Sequence, residues 1–405
     1  MHLSSTDASA SPKMLYVVVL VVAVFAAAII DIVIPINTLD ISQSFEVLPG
    51  TVGQLNSLVA IASVVTALLL AGFSTRFRYK TLVTIGLLFV ALCSVGLIFA
   101  PSFWIVQLVV SLNGVGSVLV IVSALTYIGN SYPLDKKAKA IGWVTAANTL
   151  AIAVGAPIVG FMTSAGGWRS SLLWFMLPTA IISLVFVFLA FPHSFSQEPA
   201  NVARTPFKTG VKHVLTNKSA VACLATSFFA NAFMIGGSVF EVTLLRQVFS
   251  ASPSFAALTG PLVSTVFISI GAILGGIIVN RIGRKRLTVI AVFVAGVFVL
   301  LSYSMSNMGV FLALRWAASF FFGVTITAVS NLVIEQVPKF RGAAMALSSA
   351  TRGMGVAFGI AAAGAVLNLY VDTTIGFQML GLTVAVFAFT SAFIALSFTK
   401  DPLRA

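Results

Sequence analysis

Charge is what this sequence has least of. Only 8% of its 405 residues are Asp, Glu, Lys or Arg, and 10 of them are acidic. Soluble domains average about 25% charged residues. Together with 59% hydrophobic residues and a mean hydropathy of +1.09, this excludes a soluble globular domain and points to a chain embedded in lipid. Cysteine is nearly missing as well. Cys93 and Cys223 both fall inside apolar runs with no CxxC spacing, which excludes a disulfide framework and a thiolate metal or redox centre. The three histidines, His2, His193 and His213, lie in polar segments, and no HExxH, GxSxG or phosphate-binding glycine loop occurs. Neither an enzyme nor a nucleotide-driven pump is expected, and no cofactor or metal is implied. Residues 1–13 are polar and lack the charged start and short apolar core of a signal peptide, so they read as a cytoplasmic tail.

What is abundant is apolar sequence in long blocks. A transmembrane barrel alternates lipid-facing and lumen-facing residues and gives no unbroken apolar runs of about 20. Here such runs fall near 14–37, 51–74, 82–100, 104–129, 141–164, 170–192, 219–245, 256–279, 287–305, 309–335, 342–368 and 375–398, which predicts an all-α membrane protein of twelve helices. The formal charge of +13 would suggest nucleic acid in a soluble domain, but its placement gives another reason. Counting the tails, the 193–218 stretch and the even-to-odd loops, 19 of 23 basic residues share one side. By the positive-inside rule both termini are cytoplasmic, the protein sits in the plasma (inner) membrane and no nucleic-acid partner is expected.

The polar stretch 193–218 divides the chain into six helices and six, so the expected units are a tail 1–13, a bundle 14–192, a cytoplasmic linker 193–218, a second bundle 219–398 and a tail 399–405. Shifting the sequence by 204 or 205 residues lays Arg76 on Arg281, Lys80 on Lys285, Pro133 on Pro338, Gly155 on Gly359 and Gly160 on Gly364. The chain is an internal duplication. Paired six-helix repeats around a midplane site are an architecture of alternating-access transporters.

After the eighth run the chain reads Gly276-Ile-Ile-Val-Asn280-Arg281-Ile-Gly283-Arg284-Lys285-Arg286. This resembles the G-x-x-x-D-R-x-G-R-R/K loop of the major facilitator superfamily, with Asn280 at the acidic position. The resemblance implies a gating role for Gly276, Asn280, Arg281, Gly283, Arg284 and Lys285, and for Arg76 in the more degraded first-half copy. Gly155-Ala156-Pro157-Ile158-Val159-Gly160 looks like the fifth-helix motif of the drug:proton antiporter (12-helix) branch, in a spelling closer to its sugar-efflux and drug-efflux permeases. Gly155, Pro157 and Gly160 are therefore expected to take part in gating. The branch's basic residue in the fourth helix is replaced by Val110, whose repeat partner is Arg315.

A charge at mid-bilayer costs at least about 2.5–3.5 kcal/mol on insertion scales, so each one is a functional candidate. Of the ten acids, Asp7, Glu198 and Asp401 fall in the tails or the linker, Asp135 in a cytoplasmic loop and Asp40, Glu46 and Asp372 in external loops, which leaves three in the membrane: Asp31, Glu241 and Glu335. Asp31, four residues before Pro35, resembles the acidic, proline-kinked first helix of multidrug antiporters and is the leading proton site, with Glu241 second. Glu335, three before Pro338 and six before Arg341, is expected to brace a gate with that arginine. Arg315 and Arg352 are the buried cations, and Asn148 is the repeat partner of Arg352. In proteins of this resemblance helices 1, 4, 7 and 10 line the cavity, which nominates Asn113, Tyr127, Phe228, Asn231 and Met234 for substrate contact beside Asn148, Arg315 and Arg352.

The expected function is monomeric, proton-coupled efflux of a small amphipathic or polar compound, with protons, substrate and membrane lipid as the partners. A carrier of an organic anion or sugar metabolite using Arg315 or Arg352 is the second reading. A non-transporting receptor or assembly factor on the same fold is the third.

Overall fold

The computed structural model describes residues 14–73, 78–191 and 207–401. It is all-helical, with no strand among the described residues. Twelve helices are long and apolar enough to cross a membrane: α1 Met14–Phe45, α2 Pro49–Leu70, α3 Tyr79–Ile98, α4 Phe103–Ser131, α5 Lys139–Gly166, α6 Trp168–Ala190, α7 Lys218–Gln247, α8 Pro253–Val279, α9 Arg284–Tyr303, α10 Met308–Gln336, α11 Ala343–Leu369 and α12 Thr373–Phe398. Helices are the only open-chain answer to hydrocarbon, because they satisfy every backbone group internally. Large apolar side chains such as Leu68, Trp104, Phe161, Phe188 and Leu189 point outward, as suits contact with lipid.

Several helices start where a short polar side chain accepts the first free amides. Asn217 accepts from Ser219 N and Ala220 N before α7, Ser252 from Phe255 N at α8, and Asn307 from Val310 N at α10. Asp372, expected in a loop, caps α12 through bonds of 2.8 and 3.1 Å from Thr374 N and Ile375 N.

The first helix corrects the sequence reading. It runs to Phe45 instead of ending near 37, and Asp40 lies inside it rather than in an external loop. The polar residues that suggested an end are absorbed by the helix itself: Asn37 Nδ2 and Thr38 Oγ1 donate to the carbonyls four residues back, at 2.8 and 2.9 Å. The 193–218 linker also carries an unforeseen helix, Phe207–Thr216, whose His213 stacks on Phe340 at the start of the α11 segment. Residues 192–206 lie outside the described residues.

The duplication is visible as a repeated bond. Lys80, at the start of α3, donates to the Phe188 and Phe191 carbonyls at the end of α6, at 2.9 and 2.8 Å. Lys285, at the start of α9, donates to Thr399 O after α12 at 2.8 Å. In each half an ammonium satisfies the free carbonyls of the sixth helix and opposes its negative dipole end. Within the second half α7 and α11 touch backbone to backbone: a Cβ on Gly359 would lie 2.1 Å from Ala232 O. Such close approach replaces the hydrophobic drive that lipid cannot provide.

Candidate functional site

The two halves meet at the end that carries the α1–α2, α5–α6, α7–α8 and α11–α12 connections. Arg246 near the end of α7 forms an ion pair with Asp40 of α1, with Nη2 2.9 Å from Oδ1 and Nη1 also directed at Oδ2 and at Ile36 O. Ser164 of α5 bonds Ser254 of α8 at 2.8 Å, and Asn368 of α11 donates to Thr51 Oγ1 of α2 at 2.9 Å. Between these polar contacts the backbones themselves touch. A Cβ on Gly50 would lie 2.2 Å from Gly364 O, and one on Gly160 would lie 2.6 Å from the Cβ of Ala257. This end is closed. At the opposite, basic end a Cβ added to Gly129 or Gly142 would meet nothing within 4 Å.

Asp31 stands in the middle third of α1, beside an irregular turn at Ile29, and Pro35 cannot donate the helix bond that the Asp31 carbonyl would accept. It is solvent-exposed, whereas its helical neighbours Ala27, Ala28, Ile34, Pro35 and Thr38 are all buried. A lipid-facing residue would share its exposure with the positions three and four away. Between Val19 and Ser42 no other residue of α1 is exposed, and such isolated exposure of one carboxyl fits an opening inside the protein.

The other membrane acid has a different situation. Glu241 is 2% exposed, and its Oε2 accepts from Arg315 Nη2 at 2.8 Å and Nε at 3.3 Å. Arg315 is fully buried, also donates to Ser238 Oγ at 3.2 Å, and lies over the Tyr303 ring. The two charges proposed separately for proton coupling and substrate contact therefore neutralise each other between α7 and α10. Neither reaches an open surface. Arg246, five residues on from Glu241 in the sequence, pairs instead with Asp40.

Other predicted residues divide between packing and cavity. Asn113 is fully buried and donates to Ser117 Oγ at 3.0 Å, which in turn donates to Ala27 O, so it braces α4 against α1. Tyr127 is fully buried in an aromatic cluster with Tyr79, Tyr132 and Phe191. Met234 is buried, Phe228 packs on Phe229 and Phe358, and Asn148 is half-buried on α5. Asn231 and Arg352 do come together. They line a pocket, about 430 Å³ of free space counting the solvent at its mouth, with Ser227, Thr325, Ser330, Ser348 and Ser349, and Ala230, Ile326, Val329 and Met345 form its apolar wall. Each contributing helix offers one face: 227, 230 and 231 from α7, 325, 326, 329 and 330 from α10, and 345, 348, 349 and 352 from α11. No acidic residue lines it. The serines of α10 and α11 escaped the sequence reading because a serine in an apolar helix usually bonds its own backbone.

In the loop after α8, Gly283 has φ +96°, a conformation that explains a glycine there. The following amide of Arg284 donates to Asp401 Oδ2 at 3.0 Å, so a tail acid that sequence reading set aside caps α9. Gly276, Arg281, Arg284 and Lys285 sit around this turn at the basic end, with the Asn280 backbone among them, and Glu335 is half-buried at the end of α10. Arg341 starts the α11 segment. Gly155 presses on Ile32 of α1, Pro157 is half-buried within α5, and Gly160 lies at the closed end between the halves. Arg76 lies outside the described residues.

The family model described as Major Facilitator Superfamily matches the chain twice, over residues 19–268 and 227–405. The chain belongs to this superfamily. It is 22% identical to the uncharacterised MFS-type transporter YwfA of Bacillus subtilis over 93% of this chain and 92% of the relative. It is 23% identical to Multidrug resistance protein 2 of B. subtilis over 83% of this chain and 86% of that protein. Among solved structures, an inward-facing, unoccupied bacterial homologue of the human lysosomal transporter Spinster superposes with a TM-score of 0.80 at 15% identity, covering 96% of this chain and all of the other. A D-xylose–proton symporter superposes at 0.78, also at 15% identity, covering 95% of this chain and 97% of the other. The protein is a multi-pass membrane transporter of the superfamily and not an enzyme.

Proposed function

We propose that the protein is a proton-coupled secondary transporter that exports a small polar or amphipathic compound across the plasma membrane by alternating access. The observation that carries this is Asp31, an exposed carboxyl halfway along α1 whose neighbours from 19 to 30 and from 32 to 42 are not exposed. A carboxyl at that depth with no fixed counter-charge exchanges protons as its access alternates, since desolvation opposes its charge and water restores it. Reading the basic loops as cytoplasmic puts the closed end on the outer side, the arrangement expected of an inward-facing state. The antiporter-like Gly155–Gly160 segment and the likeness to Multidrug resistance protein 2 support export as the direction.

In proteoliposomes carrying a proton gradient, a transported compound should dissipate that gradient, and Asp31→Asn should abolish the proton movement while leaving the melting temperature within a few degrees of wild type. The amide keeps the shape and hydrogen bonding of the carboxyl but cannot titrate. Proton-coupled flux of unchanged pH dependence in Asp31→Asn refutes the role.

A further inference from the structure

We propose that the cavity between α7, α10 and α11 binds a small organic monoanion, a monocarboxylate, with Arg352 as its counter-charge; this assigns a substrate class to the transporter proposed above and rests on that reading.

Arg352 is exposed into the cavity and makes no hydrogen bond or ion pair among the described residues. Its Cα lies nine residues into α11, about 14 Å from the basic end by the helical rise, too deep for its head to reach lipid phosphates beyond that end. The acids on the neighbouring helices are elsewhere. Glu241 is ten residues, about 15 Å, along α7 from Asn231 and holds Arg315, while Glu335 lies outside the lining. A guanidinium at this depth with no protein partner is costly unless water or a ligand balances it. Its planar fork matches a carboxylate by two parallel bonds.

The rest of the lining sets the class. Ser330, Ser348 and Ser349 make no hydrogen bond among the described residues, so their hydroxyls are free for a ligand's oxygens, whereas Thr325 donates to Phe321 O and Asn231 Nδ2 to Ser227 O. One cation with no lysine beside it balances a single negative charge, and a dianion would carry an unmatched charge into the membrane. Ile326, Val329 and Met345 supply an apolar wall for a short hydrocarbon or ring.

The test uses the purified full-length chain in nanodiscs with a charge series on one ring: benzylammonium, benzamide, benzoate and phenyl phosphate, plus acetate and lactate. Benzoate should raise the melting temperature in a dose-dependent way at concentrations up to about 10 mM, with benzamide and benzylammonium inert and phenyl phosphate weaker. Arg352→Gln should remove the shift, Arg352→Lys should weaken binding about tenfold by losing the fork, and Ser348→Ala/Ser349→Ala should weaken it several-fold. Should Arg352→Gln not fold, the lysine and serine variants decide. Equal shifts from benzoate and benzamide, persistence of the benzoate shift in the Arg352 variants, or no shift from any monocarboxylate overturns the assignment. Binding is read without a gradient, so Asp31→Asn should keep the benzoate shift. Proton-coupled flux of cations alone refutes the monoanion site and leaves the transport reading, whereas benzoate binding without flux of any compound does the reverse.

Discussion

Gly160 of α5 and Gly364 of α11 hold equivalent places in the two repeats, and each receives the first turn of a helix from the opposite half. Gly160 meets α8 at Pro253, Ser254 and Ala257, and Gly364 meets α2 at Gly50. The closed end is thus sealed by two pseudo-symmetric contacts in which a glycine without a Cβ lets the partner helix come close, and van der Waals attraction there falls steeply with distance.

A side chain added at this seal should change the state and not the fold. In Gly50→Ala the new methyl meets the Gly364 carbonyl, 2.2 Å from the ideal Cβ position. The strain is relieved by parting the halves, which should move the equilibrium toward opening at this end by about 1–3 kcal/mol. Gly323→Ala, where the Cβ would lie 2.0 Å from Ile268 O inside the second half, has no such release. It should lower the melting temperature instead. Alkylation of single cysteines near the closed end, run beside thermal denaturation, separates the two effects.

The Asp40–Arg246 pair should act in the same direction by a different force. Arg246→Ala removes the charged bridge and leaves a half-buried carboxylate, for which a loss of about 1–3 kcal/mol of closed-state preference is expected. Spin labels at the exposed Leu48 and Val371, read by double electron–electron resonance, should show a longer-distance population. The exchange Asp40→Arg/Arg246→Asp should restore part of the short one. An unchanged distribution in Arg246→Ala would show that the glycine contacts hold the end by themselves.

Glu241 and Arg315 should behave as one unit. Either single neutralisation, Glu241→Gln or Arg315→Met, strands a buried charge and should cost about 3–5 kcal/mol of stability, while the double change should recover most of it. Denaturation midpoints of the three variants in detergent provide the cycle. If Glu241→Gln melts normally yet loses proton coupling, the pair is part of the mechanism and Asp31 does not act alone.

The sequence was informative wherever lipid imposes the rule. Twelve apolar blocks, the duplication and the glycines of the Gly276–Arg286 loop are visible because hydrocarbon tolerates few alternatives. It was misleading where a polar residue is satisfied at a distance. Asp40 looked like loop because its partner, Arg246, lies 206 residues away. Arg315 and Arg352 looked alike, two arginines within apolar helices, and only packing shows that one is spent on Glu241 while the other opens into a cavity. Gly364 was found as the mirror of Gly160, but that both face the opposite half required the fold.

The seal at the closed end combines forces that answer differently to the surrounding medium. Backbone contact at Gly50 and Gly364 is indifferent to dissolved ions, but the Arg246 and Asp40 side chains keep 11% and 22% of their surface exposed, so counter-ions can screen their attraction. In the orientation proposed above, with that end outside, the external ionic strength would enter the conformational equilibrium through one pair of side chains: dilute medium would hold the outer side shut, and brine would loosen it.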